Sequence, residues 1–306
     1  MHLRELNYVV TLADEGSITR AADRLYMAQS SLSQFLQQYE AELGMALFVR
    51  TSKGLSPTAA GNLFIENARS ILYHYRLVRN EMYDMEHLQK GQITLGISSF
   101  RGSYMLPPIL KQFYLHYPKI TVNVVEANSI ALEEKILEGE VDLALVALPL
   151  KKLNHEVEVL KSDEILLVTN KSHPITNCLH KKDTYPFAWV DLKEIIDFEF
   201  ILSDYDTILG IKSRQAFRKA GLKPYARNTT ITAAMAAAMA REGLGLAFTY
   251  RSCVGEFNEA VYISIGTEGV YVDLALAYPY AEYRSKAASA LGEMIYEFQK
   301  NIALSK

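Results

Sequence analysis

The sequence predicts an α/β protein with an α-rich winged helix-turn-helix domain at its N-terminus, a long linker helix and a two-lobed α/β region. Three patterns predict this order. Residues 17–58 hold two short amphipathic helices, a tight turn between them and a strand-turn-strand segment. A single apolar seam with heptad spacing follows to about Gln89. From Gln92 onward, apolar runs of strand length alternate with helical periodicity, which is typical of βαβ units.

Length and composition favour an ordered protein of several domains without a disulfide framework. The chain has 306 residues, of which 49% are hydrophobic, and this length is enough for two or three domains. Cys178 and Cys253 lie far apart and form no Cys-x-x-Cys motif, which favours a reducing compartment. The sequence shows neither a signal-peptide pattern nor an apolar run of membrane-spanning length. We therefore expect a cytoplasmic protein that does not use a membrane.

The first two helices are short and amphipathic. Helix 1 is predicted from about Leu3 to Asp14, and Gly16 ends it. Ser17 or Thr19 is expected to cap helix 2. The adjacent alanines at positions 21 and 22 allow close helix packing.

The third helix carries two distinct faces. Its apolar stripe has the spacing i, i+4, i+7 and i+11 and consists of Leu32, Leu36, Tyr39 and Leu43. The opposite face carries small or amide side chains, which suit the edges of bases in a major groove. These candidate base readers are Gln29, Ser30, Ser33, Gln34 and Gln37. The alternative is that this polar face is simply exposed to solvent. The helix and turn before the third helix and the wing after it favour the DNA interpretation.

The charge balance of this segment is unusual for a DNA-binding domain. Residues 1–57 contain five basic and six acidic side chains, a net charge of −1. Phosphate neutralisation normally supplies much of the affinity for DNA. If this segment binds DNA, its few lysine and arginine side chains must therefore lie close to the phosphates. A dimer would double the number of these side chains that contact DNA.

The N-terminal segment resembles LysR-type transcriptional regulators. The family pattern is Ser-Phe-Thr-x-Ala-Ala-x-x-Leu, then Ser-Gln-Pro-Ala-Leu-Ser, then Leu-Phe-x-Arg and Leu-Thr-x-Ala-Gly. This chain matches that pattern in order at residues 17–25, 28–33, 47–50 and 56–61. The resemblance implies that Gln29, Ser30, Ser33 and Gln34 contact bases. It also implies that Arg50 and Lys53 contact phosphates from the wing.

Departures from the family pattern fall on the third helix. The family often has serine at position 28, proline at 30 and arginine at 34 or 37, where this chain has Ala28, Ser30, Gln34 and Gln37. The missing arginine predicts a lower intrinsic affinity for DNA.

The linker helix predicts self-association. Its seam residues are spaced alternately by four and three and comprise Phe64, Ala68, Ile71, Tyr75, Val78, Met82 and Met85. The alternative is an amphipathic helix packed on its own domain. Pairing would give a homodimer, or a homotetramer of two dimers, which presents two third helices to a pseudo-palindromic site in double-stranded DNA. The resemblance implies the same role for this helix.

The remaining residues predict two α/β lobes. Expected strands and helices alternate through Ile93–Ser98, Tyr104–Tyr117, Thr121–Val125, Ala131–Glu138 and Val141–Val146, and a second set follows from Ile165. Crossovers are expected near Leu160–Glu164 and Thr267–Val270. The predicted boundaries are 1–58 for the DNA-binding domain, 59–90 for the linker and 91–306 for the effector domain, with lobe I at 91–161 and 268–306 and lobe II at 162–267. The resemblance implies a periplasmic-binding-protein-like effector domain.

Polar residues follow several of the predicted strands, where ligands bind in open α/β sheets. Hydroxyls and free backbone N–H groups at helix N-termini favour a small anion, such as a carboxylate. The candidate effector residues are Ser98, Ser99, Arg101, Ser103, Asn128, Ser129, Ser203, Thr229 and Thr230. For any one of these residues taken singly, the alternative explanation is that it caps the helix that follows.

Enzyme and metal motifs are absent from the sequence. It contains no G-x-G-x-x-G, Walker A, G-x-S-x-G or H-E-x-x-H pattern. The spacing of His173, Cys178 and His180 fits no common zinc site. We therefore expect no cofactor, no metal and no catalytic residues. The main hypothesis is a ligand-responsive regulator that contacts DNA, a small effector and RNA polymerase. The competing hypothesis is an α/β enzyme or solute-binding protein with a helical extension.

Overall fold

The computed structural model describes residues 2–52, 54–85, 91–153, 157–181, 185–280 and 283–304. The chain divides into two compact units. The first comprises Met1–Met85 with Glu138–Glu140, and the second comprises Glu86–Leu137 and Val141–Lys306. Within the described residues, no helix is both long and apolar enough to cross a bilayer.

The first unit has the predicted order of elements. Its helices and strands are α1 (Leu3–Glu15), α2 (Ile18–Arg24), α3 (Gln29–Leu43), β1 (Phe48–Thr51), β2 (Gly54–Pro57) and α4 (Ala59–Met85). The two strands pair in antiparallel fashion, with Phe48 opposite Pro57. This order confirms the predicted helix-turn-helix, wing and linker helix.

Local hydrogen bonds set the ends of these helices. Gly16 ends α1 in the left-handed conformation, with φ of 55°, which glycine adopts without a steric penalty. Ser17 caps α2, because its hydroxyl accepts from the backbone N–H of Arg20. Thr58 caps α4 by accepting from the N–H of Gly61 at 2.9 Å.

The core of the first unit contains most of the predicted stripe of α3. Leu32, Leu36 and Tyr39 are buried together with Val9 and Leu12 of α1. Leu43 was expected to point inward, but it is exposed. It is the last residue of α3, and Gly44 ends the helix there, so the final turn extends beyond the core.

The second unit is built around one ten-stranded sheet. Its strands are β3 (Gly91–Ile97), β4 (Ile120–Glu126), β5 (Leu143–Ala147), β6 (Val157–Asn170), β7 (Trp189–Val190), β8 (Glu199–Ser203), β9 (Tyr225–Ile231), β10 (Leu246–Tyr250), β11 (Ala260–Ile265) and β12 (Val270–Ala277). Its helices are α5 (Ser99–His116), α6 (Ser129–Leu137), α7 (Ile208–Lys219), α8 (Ala233–Arg241) and α9 (Lys286–Leu304). The strand order is β4-β3-β5-β12-β6-β10-β8-β9, and β11 pairs with β6 and β7.

Two parallel groups of strands lie in this sheet. In one group β3 pairs in parallel with β4 and β5, and in the other β8 pairs in parallel with β9 and β10. The antiparallel strands β6 and β12 lie between the groups. The crossover expected near Leu160–Glu164 takes the form of a continuous 14-residue strand, β6. Residues 157–165 of this strand pair with β12, and residues 165–170 pair with β10 and β11.

Each group of strands has its own apolar core. One core includes Ile93, Leu95 and Phe113. The other includes Phe200 and Phe217, whose ring centroids are 4.9 Å apart in an edge-to-face arrangement. The continuous strand β6 therefore links two separately packed regions.

The carboxylates Glu133, Glu134 and Glu138, which share a helical segment with Lys135, predict a solvated helix face. Glu133 differs from this prediction. The side chain is buried, and its carboxylate accepts hydrogen bonds from the backbone N–H groups of Lys151, Lys152 and Leu153. Burial acts to raise the pKa of this carboxyl, but the three backbone donors outweigh burial and hold the pKa below its ordinary value. Glu133 thus anchors the segment after β5.

Candidate functional site

The polar face of α3 lies on the surface of the first unit. Gln29, Ser30, Gln34 and Gln37 are exposed, and Ser33 is half-buried. Within the described part of the chain, the three glutamine side chains have no intramolecular hydrogen-bond or ion-pair partner. Amide and hydroxyl groups of this kind pair with base edges, and glutamine matches adenine in a bidentate manner. The structure therefore brings all five predicted base readers together on one accessible face.

The wing places one predicted phosphate ligand on the surface. Arg50 is exposed in β1 and lies opposite Leu55 of β2. The other predicted ligand, Lys53, lies outside the described residues. No lysine or arginine occurs within α3 itself, so Arg50 is the described cation of the wing.

The arginines of α2 contribute less positive charge than their number suggests. Arg24 Nη1 lies 2.8 Å from Glu15 Oε1, and Arg20 Nε lies 3.5 Å from Glu15 Oε2. Such exposed pairs stabilise a fold by at most about 1 kcal/mol. They nevertheless place a carboxylate beside each guanidinium and offset its field.

Tyr26 is a candidate that sequence analysis missed. It lies in the turn between α2 and α3, and its side chain is 97% exposed. Its φ is 54°, the one positive value at a non-glycine residue among the described residues. A bulky side chain in this conformation is strained by about 1–2 kcal/mol. No pattern in the sequence indicated this exposure, because a large side chain in such a turn is expected to pack inward, as the neighbouring Met27 does.

The predicted seam of α4 separates into two parts. Ala68 is buried inside its own unit with Leu6 and Val10, and Phe64 packs edge-to-face on Tyr39 at 5.8 Å between ring centroids. The next four seam residues form an exposed apolar stripe: Ile71 at 39%, Tyr75 at 48%, Val78 at 54% and Met82 at 62%. Met85 is the last residue of α4. The first part of the seam thus packs on its own unit, and the second part is exposed in the single chain.

A cavity of about 340 Å³ lies at the carboxyl ends of both groups of parallel strands. Its walls come from the loops after β3, β4, β8 and β9 and from the N-terminal turns of the four helices that follow. Six of the nine predicted effector residues line it: Ser98, Ser99, Arg101, Asn128, Ser129 and Thr230. Its volume falls within the range of small-molecule sites.

The other three predicted residues do not line the cavity. Ser103 donates to the carbonyl oxygen of Phe100 at 2.9 Å. Ser203 is buried, and its carbonyl oxygen and that of Thr229 both accept from the guanidinium of Arg214.

Three of the four helix N-termini at the cavity are capped by the chain itself. Asn128 caps α6, Thr207 caps α7 and Thr232 caps α8, each by accepting from a backbone N–H. The exception is α5, because the hydroxyl of its N-cap residue Ser98 makes no capping hydrogen bond. An uncapped helix N-terminus presents free N–H groups and a positive partial charge. Helix capping thus explains Asn128 and leaves Ser98 available to a ligand.

Arg101 is neutralised by the chain. The side chain is 2% exposed, its Nη2 lies 3.3 Å from Asp163 Oδ2, and its guanidinium stacks 3.5 Å from the ring centroid of Tyr250. Asp163 also accepts from the backbone N–H of Ser252 at 3.0 Å and from its hydroxyl at 2.6 Å. Arg101 Nε is buried without a hydrogen-bond partner among the described residues.

Two sequence families match this chain. Residues 3–62 match the family described as bacterial regulatory helix-turn-helix protein, lysR family. Residues 86–299, more than half of the chain, match the LysR substrate binding domain. The chain belongs to the LysR family. The predicted family and fold class are therefore confirmed, and the exposed face of α3 and the cavity lie in its helix-turn-helix and substrate-binding domains respectively.

Relatives of this LysR-family protein are named as transcriptional regulators. It is 34% identical over 171 residues to YcgK, an uncharacterised HTH-type transcriptional regulator of Bacillus subtilis, and the match covers 56% of this chain and 53% of that protein. A match to YtlI of the same organism is 32% identical and covers 57% and 56%. The chain thus spans about half the length of these two relatives. A probable RuBisCO transcriptional regulator of a Nostoc species is 28% identical, with 96% and 87% covered.

Solved structures of the LysR family share the fold along almost the whole chain. Full-length OxyR from Pseudomonas aeruginosa has a TM-score of 0.70 and 21% identity, and covers 97% of this chain and 98% of its own. Full-length CbnR in complex with its target DNA has a TM-score of 0.65 and 20% identity, and covers 97% and 100%. These likenesses establish the architecture of the LysR-family chain.

His173 and His180 of this LysR-family protein make contacts within the chain, and Cys253 is buried. His173 accepts from the N–H of Ile175, while His180 stacks on Trp189 with 4.5 Å between ring centroids. No cluster of three or more metal-binding side chains occurs among the described residues. Burial raises the pKa of the Cys253 thiol to about 12, so it is protonated near neutral pH and unreactive as a nucleophile.

Proposed function

We propose that this LysR-family chain is a ligand-responsive transcriptional regulator without enzymatic activity. The observation that carries the proposal is that the serine- and glutamine-bearing face of α3 and Arg50 of the wing are both exposed. Gln29, Ser30, Ser33, Gln34 and Gln37 contact bases in the major groove, and Arg50 and Lys53 contact phosphates. A regulator of this kind acts where chromosomal DNA lies, so we place it in the cytoplasm.

Self-association completes the DNA-binding surface. The stripe of Ile71, Tyr75, Val78 and Met82 is apolar and exposed in the single chain, and a second copy of the same helix would cover it. A two-fold axis through that contact presents two α3 helices to two half-sites, which makes the DNA site pseudo-palindromic. Two such dimers form the tetramer.

The effector site is the cavity between the predicted lobes, residues 91–161 with 268–306 and residues 162–267. A small molecule there contacts both groups of strands at once, so it favours one relative placement of the lobes over others. In a dimer or tetramer, that preference changes the spacing of the α3 helices and the access of RNA polymerase to the promoter.

Binding to duplex DNA from the region upstream of the protein's own gene tests the proposal. We expect sequence-selective binding by fluorescence anisotropy, with affinity that falls as salt rises. Gln34→Ala should reduce affinity by about 1–3 kcal/mol and relax specificity at one position. Gln38→Ala is the matched control. Catalytic turnover without selective DNA binding at low salt would support the enzyme hypothesis instead.

The double variant Ser98→Ala, Ser99→Ala is expected to separate effector response from DNA binding. It removes both hydroxyls at the uncapped end of α5, about 1–3 kcal/mol of hydrogen bonding for a charged ligand. Melting temperature is read over a panel of metabolites, because a ligand that prefers the folded state raises it. Ligand-dependent shifts should shrink while affinity for DNA stays unchanged. A joint loss of both activities would contradict this division of roles.

Tyr26 is expected to contact DNA at the cost of local strain. Replacing it by asparagine, which tolerates a positive φ, should raise the melting temperature, since the exposed ring has no packing to lose. The same change should weaken DNA binding by about 1 kcal/mol, because a tyrosine hydroxyl beside the major groove donates to a phosphate. Tyr26→Phe should retain the strain and lose the hydroxyl. Unchanged DNA affinity in both variants would mean that Tyr26 does not touch the duplex.

A further inference from the structure

The lining of the cavity in the substrate-binding domain has two chemically different polar groups. The first is Ser98 and Ser99, where the N-terminus of α5 lacks a side-chain cap. The second is a pair of carboxylates, Asp204 and Asp206, in the segment between β8 and α7. Residues 127 and 128 connect the two groups, because Ala127 N–H donates to the carbonyl oxygen of Ile97 at 3.2 Å and Asn128 Nδ2 donates to Asp206 Oδ2 at 3.1 Å. The first group favours negative charge in a ligand and the second favours positive charge at a neighbouring position.

Neither carboxylate, Asp204 or Asp206, has a basic partner in the described chain. Asp204 accepts from the backbone N–H of Tyr205 at 2.7 Å, and Asp206 Oδ2 accepts from Asn128 Nδ2 at 3.1 Å. Both donors are neutral. The single arginine that lines the cavity, Arg101, already pairs with Asp163, and no lysine lines the cavity. Asp206 is exposed and Asp204 is half-buried, so both carboxylates are accessible to a cationic group of a ligand.

The remaining wall of the cavity is largely apolar. Its apolar lining consists of Phe100, Ala127, Ile208, Leu209, Ala233 and Ala234, with the ring of Tyr250. In a site of this kind, the apolar walls select the apolar part of a ligand by its shape, and the few polar groups select its charged groups.

We propose that the effector is an α-amino acid with an apolar side chain. Its carboxylate lies at the N-terminus of α5 with Ser98 and Ser99, its ammonium group lies against Asp204 and Asp206, and its side chain packs on Phe100 and Leu209. This inference rests on the proposed effector role of the cavity. A plain carboxylate would leave both aspartates without a cation, and a plain amine would leave the α5 N-terminus without an anion.

The hydrogen bond between Asn128 and Asp206 suggests how the ammonium group of the ligand acts in regulation. Asn128 begins α6 in one group of elements, and Asp206 precedes α7 in the other, so their hydrogen bond joins opposite walls of the cavity. An ammonium group that binds Asp206 beside Asn128 adds a second link at the same point. The closed arrangement of the cavity is therefore favoured by the cationic end of the ligand.

Matched compounds test the charge requirement. L-Leucine, 4-methylpentanoate and 3-methylbutylamine share an isobutyl group and differ in their charged groups, and L-phenylalanine, 3-phenylpropanoate and 2-phenylethylamine form an aromatic set. Binding to the full chain is measured by calorimetry and by the shift in melting temperature. We expect at least one of the two amino acids to bind, and both of its singly charged analogues to bind about tenfold or more weakly.

The variant Asp206→Asn supplies the structural control. It keeps an oxygen acceptor for Asn128 and removes the negative charge, so affinity for the amino acid should fall about tenfold or more, while 4-methylpentanoate or 3-phenylpropanoate binds no worse. Asp197→Asn, on an exposed residue outside the cavity, should change nothing.

Three outcomes would overturn the inference: equal binding of the acid and the amino acid, preferential binding of the amine, or no binding of either amino acid. Each would leave the regulator proposal intact if another metabolite shifts DNA binding through Ser98 and Ser99. Failure of every metabolite to alter selective DNA binding would instead contradict the regulator proposal.

Discussion

Val78→Glu is expected to convert the protein to a monomer and to abolish high-affinity binding to a two-half-site DNA. Val78 lies in the middle of the exposed stripe of α4, between Tyr75 and Met82, and its side chain is 54% exposed. In a dimer formed across that stripe, two new carboxylates would be buried near one another without partners. Buried unpaired charges cost several kcal/mol each, which exceeds what a short helix contact supplies.

Ser70→Glu is the matched control for this variant. Ser70 is exposed on the same helix and lies about 100° around it from the neighbouring stripe residue Ile71. It should leave the dimer unchanged. Analytical ultracentrifugation gives the oligomeric state, and circular dichroism checks that both variants fold. A Val78→Glu protein that remains dimeric and binds DNA normally would show that the stripe is not the dimer contact.

Asp163→Asn is expected to lower the free energy of unfolding of the second unit by about 3–5 kcal/mol. The change leaves the guanidinium of Arg101 charged and almost fully buried, without the carboxylate that now lies 3.3 Å away. It also replaces the charged acceptor of two hydrogen bonds from Ser252. A single substitution with so large an effect is diagnostic of an uncompensated buried charge.

Glu259→Gln provides the comparison on the surface. Glu259 pairs with Lys171 at 2.6 Å, but both side chains are more than half exposed, so the expected loss is at most about 1 kcal/mol. Urea unfolding curves measured for both variants give the two free energies. A loss below about 1 kcal/mol for Asp163→Asn would mean that water or another group reaches Arg101 when Asp163 is neutral.

The first unit could be predicted from sequence because its signals are local. The stripe of Leu32, Leu36 and Tyr39 has helical spacing, and Gly16 and Ser17 mark the boundary between two helices. Periodicity does not say what an apolar face packs against, and the seam of α4 shows this limit. Ala68 packs within its own unit, whereas Val78 remains exposed.

The second unit contains features that depend on contacts distant in sequence. Glu133 is buried because the backbone of residues 151–153 donates to it, and no pattern near Glu133 indicates this. The strand β6 continues through residues 160–164 because β12, more than a hundred residues later, pairs along it. Likewise, Arg101 was a plausible ligand for a carboxylate, but its present carboxylate partner is Asp163, 62 residues away.

The sparse positive charge of the first unit has a consequence for how the regulator searches a chromosome. With α3 lacking cations and Arg20 and Arg24 lying beside Glu15, few counterions are displaced when a random stretch of duplex is encountered, so adhesion to bulk DNA is weak. We then expect most molecules to diffuse freely instead of sliding along the genome. Occupancy of the true operator therefore follows the total concentration of assembled protein more directly than it does for a strongly basic repressor.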